Sequence, residues 1–171
     1  MRITTERLAL EPISLQYLES TYAYASDLEN TRFMFFLPHE SIGETQDFIL
    51  RAMEERRREN PAFYEFVILN GQMHVGGVSL YMLEDGAAEL AWILDKRYWH
   101  NGYATEAARA LMGWGRDCLG VHRFIAMCDS ENTPSWQLME RLGMYRISLC
   151  GGRKNRSSDE ERLELTYEIL A

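Results

Sequence analysis

Two stretches of this sequence carry residue types and spacings that could do chemistry. In the first, Glu89 is the only charged residue in the apolar run 87–94. A carboxylate in such surroundings needs a partner or a raised pKa, and both are common at functional sites. In the second, Gly102 stands just before a helical pattern, and the unpaired N–H groups of a helix entry can hold a phosphate or pyrophosphate. One glycine is a weak signal, because the spacing matches neither standard glycine-rich phosphate motif and helix entries without a ligand are more common.

The elements that must position these residues alternate between strands and helices. Residues 87–94 predict a central strand buried on both faces, and residues 103–119 predict a helix with an apolar face that ends at Gly120. Further strands are predicted at 7–13, 63–69, 73–83, 123–128, 145–150 and 162–170, and further helices from residue 15, at 41–59 and at 132–142. This order predicts an α/β or α+β domain with a mixed sheet, helices on both faces and a parallel crossover near the middle. Ligands in such sheets bind outside the carboxyl ends of the strands.

Local signals add three expectations. The pair Asn70-Gly71 predicts a tight hairpin turn. The polar, glycine-rich residues 151–159 predict an exposed loop. Three cysteines without a C-x-x-C spacing suggest neither a disulfide framework nor a metal site, and we expect them to be small buried hydrophobic residues.

Composition excludes some classes of function. The chain of 171 residues has 18 basic and 26 acidic side chains, a net charge of -8, which disfavours a nucleic-acid partner. No apolar run is long enough to span a membrane, and the first ten residues carry charges where a signal peptide is apolar. We therefore expect a single domain, residues 1–171, that works in the cytoplasm without a membrane partner.

The stretch 98–107 resembles the acyl-coenzyme A motif of the GCN5-related N-acetyltransferase (GNAT) family, (Gln/Arg)-x-x-Gly-x-(Gly/Ala), with Gly102 and Ala104 at its small positions. Residues 132–135 and 140–144 are similar to a block of the branch that acetylates ribosomal-protein N-termini, and residues 4–8 resemble its opening strand. The resemblance implies an acetyl-CoA-dependent N-acetyltransferase. It also implies a mixed, twisted sheet of six to seven strands, splayed at its centre, with about four helices on both faces.

The resemblance also implies where the cofactor lies. The strand backbone at Trp92, Ile93 and Leu94 is expected to pair with the pantetheine, at a β-bulge that splays two parallel strands apart. Backbone N–H groups are expected to cradle the pyrophosphate at His100, Asn101, Gly102, Tyr103, Ala104 and Thr105. One departure is Trp99, which replaces the usual Gln or Arg. The side chain of His100 is open to two interpretations, a phosphate contact or an exposed loop histidine without a role.

Three residues are candidates beside the thioester. Glu89 matches the region of a catalytic carboxylate and is the candidate base; alternatively it is a strand-start residue that points to water. Asn132 is expected to bond the pantetheine region, to cap the following helix, or both. Ser135 matches a serine near the sulfur and is the candidate acid, or it is an ordinary first-turn residue. In other branches a tyrosine seven residues after the asparagine is the acid, but here that residue is Met139.

The sequence is compatible with several classes of acceptor. The leading acceptor is a protein N-terminal α-amine, and the alternatives are a small amine (a polyamine, an aminoglycoside or an amino acid) or a CoA-binding module without catalysis. The Phe-rich residues 32–39 line the acceptor pocket or belong to the core. The sequence leaves open whether the protein forms a homodimer.

Overall fold

A computed structural model describes residues 1–170, and its elements follow the predicted order with one additional strand at the start. The strands are β1 (Ile3–Thr4), β2 (Ala9–Pro12), β3 (Phe63–Asn70), β4 (Met73–Met82), β5 (Ala87–Leu94), β6 (Arg123–Asp129), β7 (Tyr145–Lys154) and β8 (Glu161–Leu170). The helices are α1 (Leu18–Ala25), α2 (Ile42–Glu55), α3 (Tyr103–Leu119) and α4 (Thr133–Arg141). Short 3-10 turns precede α1 and follow β5.

All eight strands form one mixed sheet, in the order β1-β2-β3-β4-β5-β6-β8-β7. The count exceeds the expected six to seven because residues 3–4 pair with β2 as a further edge strand. Neighbours are antiparallel except β5 and β6, whose parallel pairing covers only Ala87–Glu89 and Arg123–Ile125. Beyond these residues the two strands separate. The expected central splay is confirmed.

The expected β-bulge does not interrupt the pairing of β5 with β4, which runs without a register shift from Ala88 to Leu94. The irregularity lies instead between β3 and β4, at Ile68/Leu69. Close packing of β4 on β5 has a local cause, because a side chain at Gly76 would overlap the carbonyl oxygen of Ile93.

Helices cover both faces of the sheet, and each face has its own hydrophobic cluster. On one face α3 and α4 pack over a large core that includes Leu80, Leu90, Leu111, Phe124 and Met139. On the other face α1 and α2 pack over a smaller core that includes Ile13, Ile49, Ala52, Val67 and Leu69. Successive strand residues point to opposite faces, so the residues on either side of Glu89 enter the large core and Glu89 lies on the α1/α2 face.

Several local predictions are wrong. The helix predicted to end at residue 59 ends at Glu55. The predicted hairpin is present, but its turn lies one residue later, at residues 71–72, because Asn70 still pairs with Met73. The predicted loop 151–159 is half strand, because β7 continues to Lys154. Of the three cysteines only Cys128 is buried, since Cys118 and Cys150 are exposed on α3 and on the edge strand β7. Among residues 1–170, no helix combines the length and apolar composition that crossing a membrane requires.

Candidate functional site

The separation of β5 from β6 leaves an opening at the centre of the sheet. Trp92, Ile93 and Leu94, predicted to pair with the pantetheine, all lie on the separated part of β5. The Leu94 carbonyl already accepts bonds from Asn30 Nδ2 at 2.5 Å and from Trp99 Nε1 at 3.0 Å. Its oxygen is therefore occupied, and the prediction of strand-like pairing rests mainly on Trp92 and Ile93.

The entry to α3 presents a continuous run of free backbone donors. His100 and Gly102 adopt left-handed conformations, with φ of 63° and 75°, and they turn the chain sharply into the helix. Within residues 1–170, no acceptor receives a bond from the six successive amides of residues 100–105, and the first helical bond of α3 is from Glu106 N to Gly102 O. Six unpaired amides at a helix N-terminus form a site for an anionic group.

The start of the chain braces this helix entry. Arg7 Nη1 donates to the carbonyl of Asn101 at 3.0 Å, its Nε donates to Glu106 at 2.7 Å, and its guanidinium lies 5.1 Å from the centre of the Tyr103 ring. Thr5 also donates to Glu106. Glu106 is therefore a structural residue. Arg7 belongs to the segment 4–8 that resembles the opening strand, but it was not predicted as a site residue. Its guanidinium places a cation behind the free amides.

Side chains around the same entry have mainly structural contacts. Asn101 Nδ2 donates to the carbonyls of Tyr98 and Trp99, at 3.1 and 3.0 Å, and so fixes the turn. The His100 side chain is exposed. The predicted contribution of these two residues to a cofactor site is thus left to their backbone amides.

The N-terminus of α4 faces the opening from the β6 side. Asn132 occupies the capping position of α4, but its side chain makes no capping hydrogen bond, so the expected structural role of this amide is wrong. Its polar group is available to a ligand. Ser135 lies against the buried thiol of Cys128, whose pKa is raised by burial to about 11 while the serine hydroxyl acts in the opposite direction. Ser135 therefore lies beside a thiol that is neutral at pH 7.

Glu89 lies on the α1/α2 face, at the last residue where β5 and β6 are paired. It is half-buried between Tyr81 of β4 and Ile125 of β6, and it does not point into open solvent. Burial raises the pKa of Glu89, the carboxylate of Glu164 raises it further, and the guanidinium of Arg153 lowers it. A half-buried carboxyl with a raised pKa is a suitable proton acceptor near neutral pH.

Three further polar residues on this face, one half-buried and two buried, were missed in the sequence. Glu65 of β3 accepts a hydrogen bond from Ser79 Oγ at 2.5 Å, and burial raises its pKa to about 8. Arg153 and Asn155 are 6% and 3% exposed although they fall within the predicted loop. Their polar composition is typical of solvent-exposed loops, so only long-range pairing could have revealed their burial.

His74 is structural. Its ring packs edge-on against Tyr17 and Tyr24 and bonds with Ser20 and with the carbonyl of Gly76. Burial lowers its pKa to about 4, so it is neutral at pH 7. In the described part of the chain, no cluster of three His, Cys, Asp or Glu side chains could hold a metal ion.

A cavity of about 710 Å³ lies elsewhere, between α4 and the β7–β8 hairpin. Its walls include Trp136, Met144, Leu149, Leu163 and Tyr167. None of the predicted site residues lines it, so this cavity is separate from the central opening.

Comparison with known proteins agrees with this geometry. The sequence profile of the acetyltransferase (GNAT) domain matches residues 7–145. The chain belongs to the GNAT acetyltransferase family. Its match to this family begins within the segment that braces α3 and ends at the start of β7, so it includes both strands of the splay.

Individual relatives of this GNAT acetyltransferase are distant. The uncharacterized N-acetyltransferase YnaD of Bacillus subtilis is 27% identical over 147 residues, which cover 85% of this chain and 84% of YnaD. The structure is similar to an acetyltransferase of the GNAT family from Bacillus anthracis, with a TM-score of 0.86, 26% identity and coverage of 99% and 98% of the two chains. It is also similar to RimL, a ribosomal L7/L12 alpha-N-protein acetyltransferase in complex with coenzyme A, with a TM-score of 0.89, 15% identity and coverage of 99% and 98%. The last likeness concerns the fold alone.

Proposed function

We propose that this acetyltransferase moves the acetyl group of acetyl-CoA to a primary amine by direct attack, without a covalent enzyme intermediate, and that the leading acceptor is a protein N-terminal α-amine. The observation that carries the proposal is the run of six free amides at residues 100–105 beside the open end of β5. A pyrophosphate and the pantetheine that follows it fit these two features together.

The residues that would hold acetyl-CoA are supplied by three elements. The amides of residues 100–105 would bind the pyrophosphate, with Arg7 as a nearby cation, and the backbone of Trp92 and Ile93 would pair with the pantetheine. The uncapped side chain of Asn132 would bond the pantetheine from the α4 side. When bound, acetyl-CoA supplies the thioester whose acetyl group is transferred.

Two side chains would manage the protons. An amine is protonated near pH 7, so it must lose a proton before it can attack, and the Glu89 carboxylate on the α1/α2 face would take that proton directly or through a water. Ser135 would donate its hydroxyl proton to the leaving thiolate from the first turn of α4 and regain a proton from solvent. The neighbouring Cys128 thiol stays protonated at pH 7, because burial raises its pKa to about 11.

Sequence similarity and net charge support the proposed acceptor class. The blocks 132–135 and 140–144 are similar to the branch that acetylates ribosomal-protein N-termini, and the fold is similar to RimL. The net charge of -8 favours a cationic acceptor in either class, an N-terminus or a small amine.

We also propose that the whole chain is a single domain, because all strands of residues 1–170 share one sheet. We propose a reducing, cytoplasmic compartment, because the three cysteines are free.

An amine panel tests the acceptor class. Thiol release from acetyl-CoA is measured with a peptide that begins with alanine, the same peptide with its N-terminus blocked, spermidine, an aminoglycoside and a free amino acid. The proposal predicts the highest kcat/KM for the unblocked peptide and none for the blocked one. Rapid release with spermidine but not with the peptide would make a small amine the acceptor.

A further inference from the structure

The α1–α2 loop, residues 26–41, is fastened to the end of the β7–β8 hairpin by residues about 120 positions apart. Arg153 Nη2 donates to the carbonyl of Phe33 at 2.8 Å, and its guanidinium lies 4.0 Å from the centre of the Phe35 ring. Arg156 donates from its backbone to Met34 and from its side chain to the carbonyl of Phe36, at 2.9 and 3.0 Å. The loop is thereby held over the α1/α2 face of the sheet.

Arg153 differs from Arg156 in its burial and its partners. Its side chain is 5% exposed, and Nη1 forms an ion pair with Glu164 of β8 at 2.6 Å. Its Nε donates to Asn155, which in turn donates to the fully buried Asp129 at 2.6 Å. Burying a guanidinium is costly unless its donors are satisfied, so this network fixes one arrangement of the loop and the two strands.

The same network reaches the candidate base. Glu89, Asp129 and Glu164 share the α1/α2 face, and the charged groups that act on Glu89 are Glu164 and Arg153. Tyr81 faces Glu89 from β4, and the Glu89 carboxylate in turn raises the pKa of that phenol. Arg153 thus forms an ion pair with Glu164 and also lowers the pKa of Glu89.

We infer that Arg153 is a positioning residue of the acceptor site: it holds the α1–α2 loop over the face that carries Glu89 and, through its ion pair, offsets the charge of Glu164 on the same face. The inference rests on the proposed function, because it concerns the amine that Glu89 would deprotonate.

Kinetics against pH separate this role from a purely structural one. In Arg153→Gln the loop loses its anchor, and we expect the acceptor KM to rise about tenfold or more while the acetyl-CoA KM stays within about threefold. Because Arg153 lowers the pKa of Glu89, its loss moves the acid limb of kcat/KM to higher pH. Glu164→Gln removes the opposing charge and moves that limb to lower pH. The matched control is Lys154→Gln, which removes an exposed cation one residue away and leaves both quantities unchanged.

Two further measurements test the inference even if Arg153→Gln destabilises the protein. Arg153→Lys keeps the charge and loses the fork of bonds, so its acid limb stays near the wild-type position while its acceptor KM rises. Hydrogen exchange at the amide of Met34, which donates to Thr31 within the loop, accelerates in Arg153→Gln and not in Lys154→Gln, whatever the turnover.

The outcomes are distinguishable. A wild-type protein that acetylates no amine contradicts the proposed function. A wild type that turns over, with Arg153→Gln and Lys154→Gln alike in acceptor KM, acid limb and exchange, overturns the inference. Shifts of the acid limb in the same direction for Arg153→Gln and Glu164→Gln overturn its electrostatic part.

Discussion

Glu89 illustrates how one residue can be recognised from sequence while its surroundings cannot. Its isolation in the apolar run 87–94 already indicated an unusual carboxylate, and the structure adds the two charges that act on it, Glu164 and Arg153. Both come from the end of the chain, more than sixty residues away. The position of the candidate base was predictable from the sequence, and the charges that shift its pKa were not.

Replacing Glu89 by Gln tests its role as the base. Because general-base catalysis contributes roughly 10²–10⁴-fold, we expect Glu89→Gln to lower kcat/KM by about a hundredfold or more at pH 7. The acid limb of the wild-type profile, which lies above the ordinary range for Glu because burial raises this pKa, should disappear. Glu84→Gln, in the exposed turn before β5, is the matched control. A rate within about threefold of wild type at all pH values excludes Glu89 as the base.

Glu65 gives a prediction about stability. Burial raises its pKa to about 8 from 4.5, so the folded protein keeps this carboxyl protonated where the unfolded chain has released the proton. This contribution to stability is fully present below pH 4.5 and is lost as the pH rises toward 8. The loss is at most about 1.4 kcal/mol per pH unit.

Glu65→Gln removes this dependence. The difference in Tm between Glu65→Gln and wild type should shift in favour of the variant from pH 5 to pH 8, since Gln still accepts from Ser79 and does not ionise. Thermal unfolding at several pH values measures it, with the exposed Glu59→Gln as the control. A pH-independent difference contradicts the assignment.

At the scale of elements, hydrophobic periodicity was sufficient for the helices and strands that pack on the sheet. It predicted β5, α3 and their connection almost to the residue, because each buries a regular apolar face. It failed at residues 151–159, where Arg153 and Asn155 are buried by partners that lie far apart in sequence. The free amides of residues 100–105 follow from the helix entry, but the bracing by Arg7 does not.

The helix entry of α3 can be tested against the other end of the same helix. Gly102 and Gly120 are both left-handed, with φ of 75° and 69°, so a valine at either position imposes similar backbone strain. We expect Gly102→Val to weaken CoA binding severely in calorimetry and Gly120→Val to retain it. Equal affinities in the two variants would place the pyrophosphate elsewhere.

The whole molecule combines a negative surface with a local site for a polyanion. The net charge of -8 opposes CoA at long range, so the attraction must come from the backbone amides of residues 100–105 and the nearby Arg7. The remaining acidity is left to attract a cationic acceptor. Composition alone had only disfavoured nucleic acid and membranes, and the proposed site accounts for both requirements.

Ionic strength tests this division of charge. Raising salt from about 0.01 to 0.15 M shortens the Debye length from about 30 to 8 Å, which screens surface attraction. We expect the kcat/KM of a cationic acceptor to fall severalfold, and that of an amine that is neutral at the assay pH to change little. Equal salt dependence for both acceptors would contradict steering by the acidic surface.

The most direct test of the central claim is the balance between thiol release and amine acetylation in one assay with acetyl-CoA and the amine panel. We predict one N-acetylated amine for each thiol released and no acetyl group on the protein in the absence of amine. We also predict that Glu89→Gln loses turnover and retains CoA binding. Tight binding of CoA without thiol release from any amine would contradict it and would make the chain a binding module.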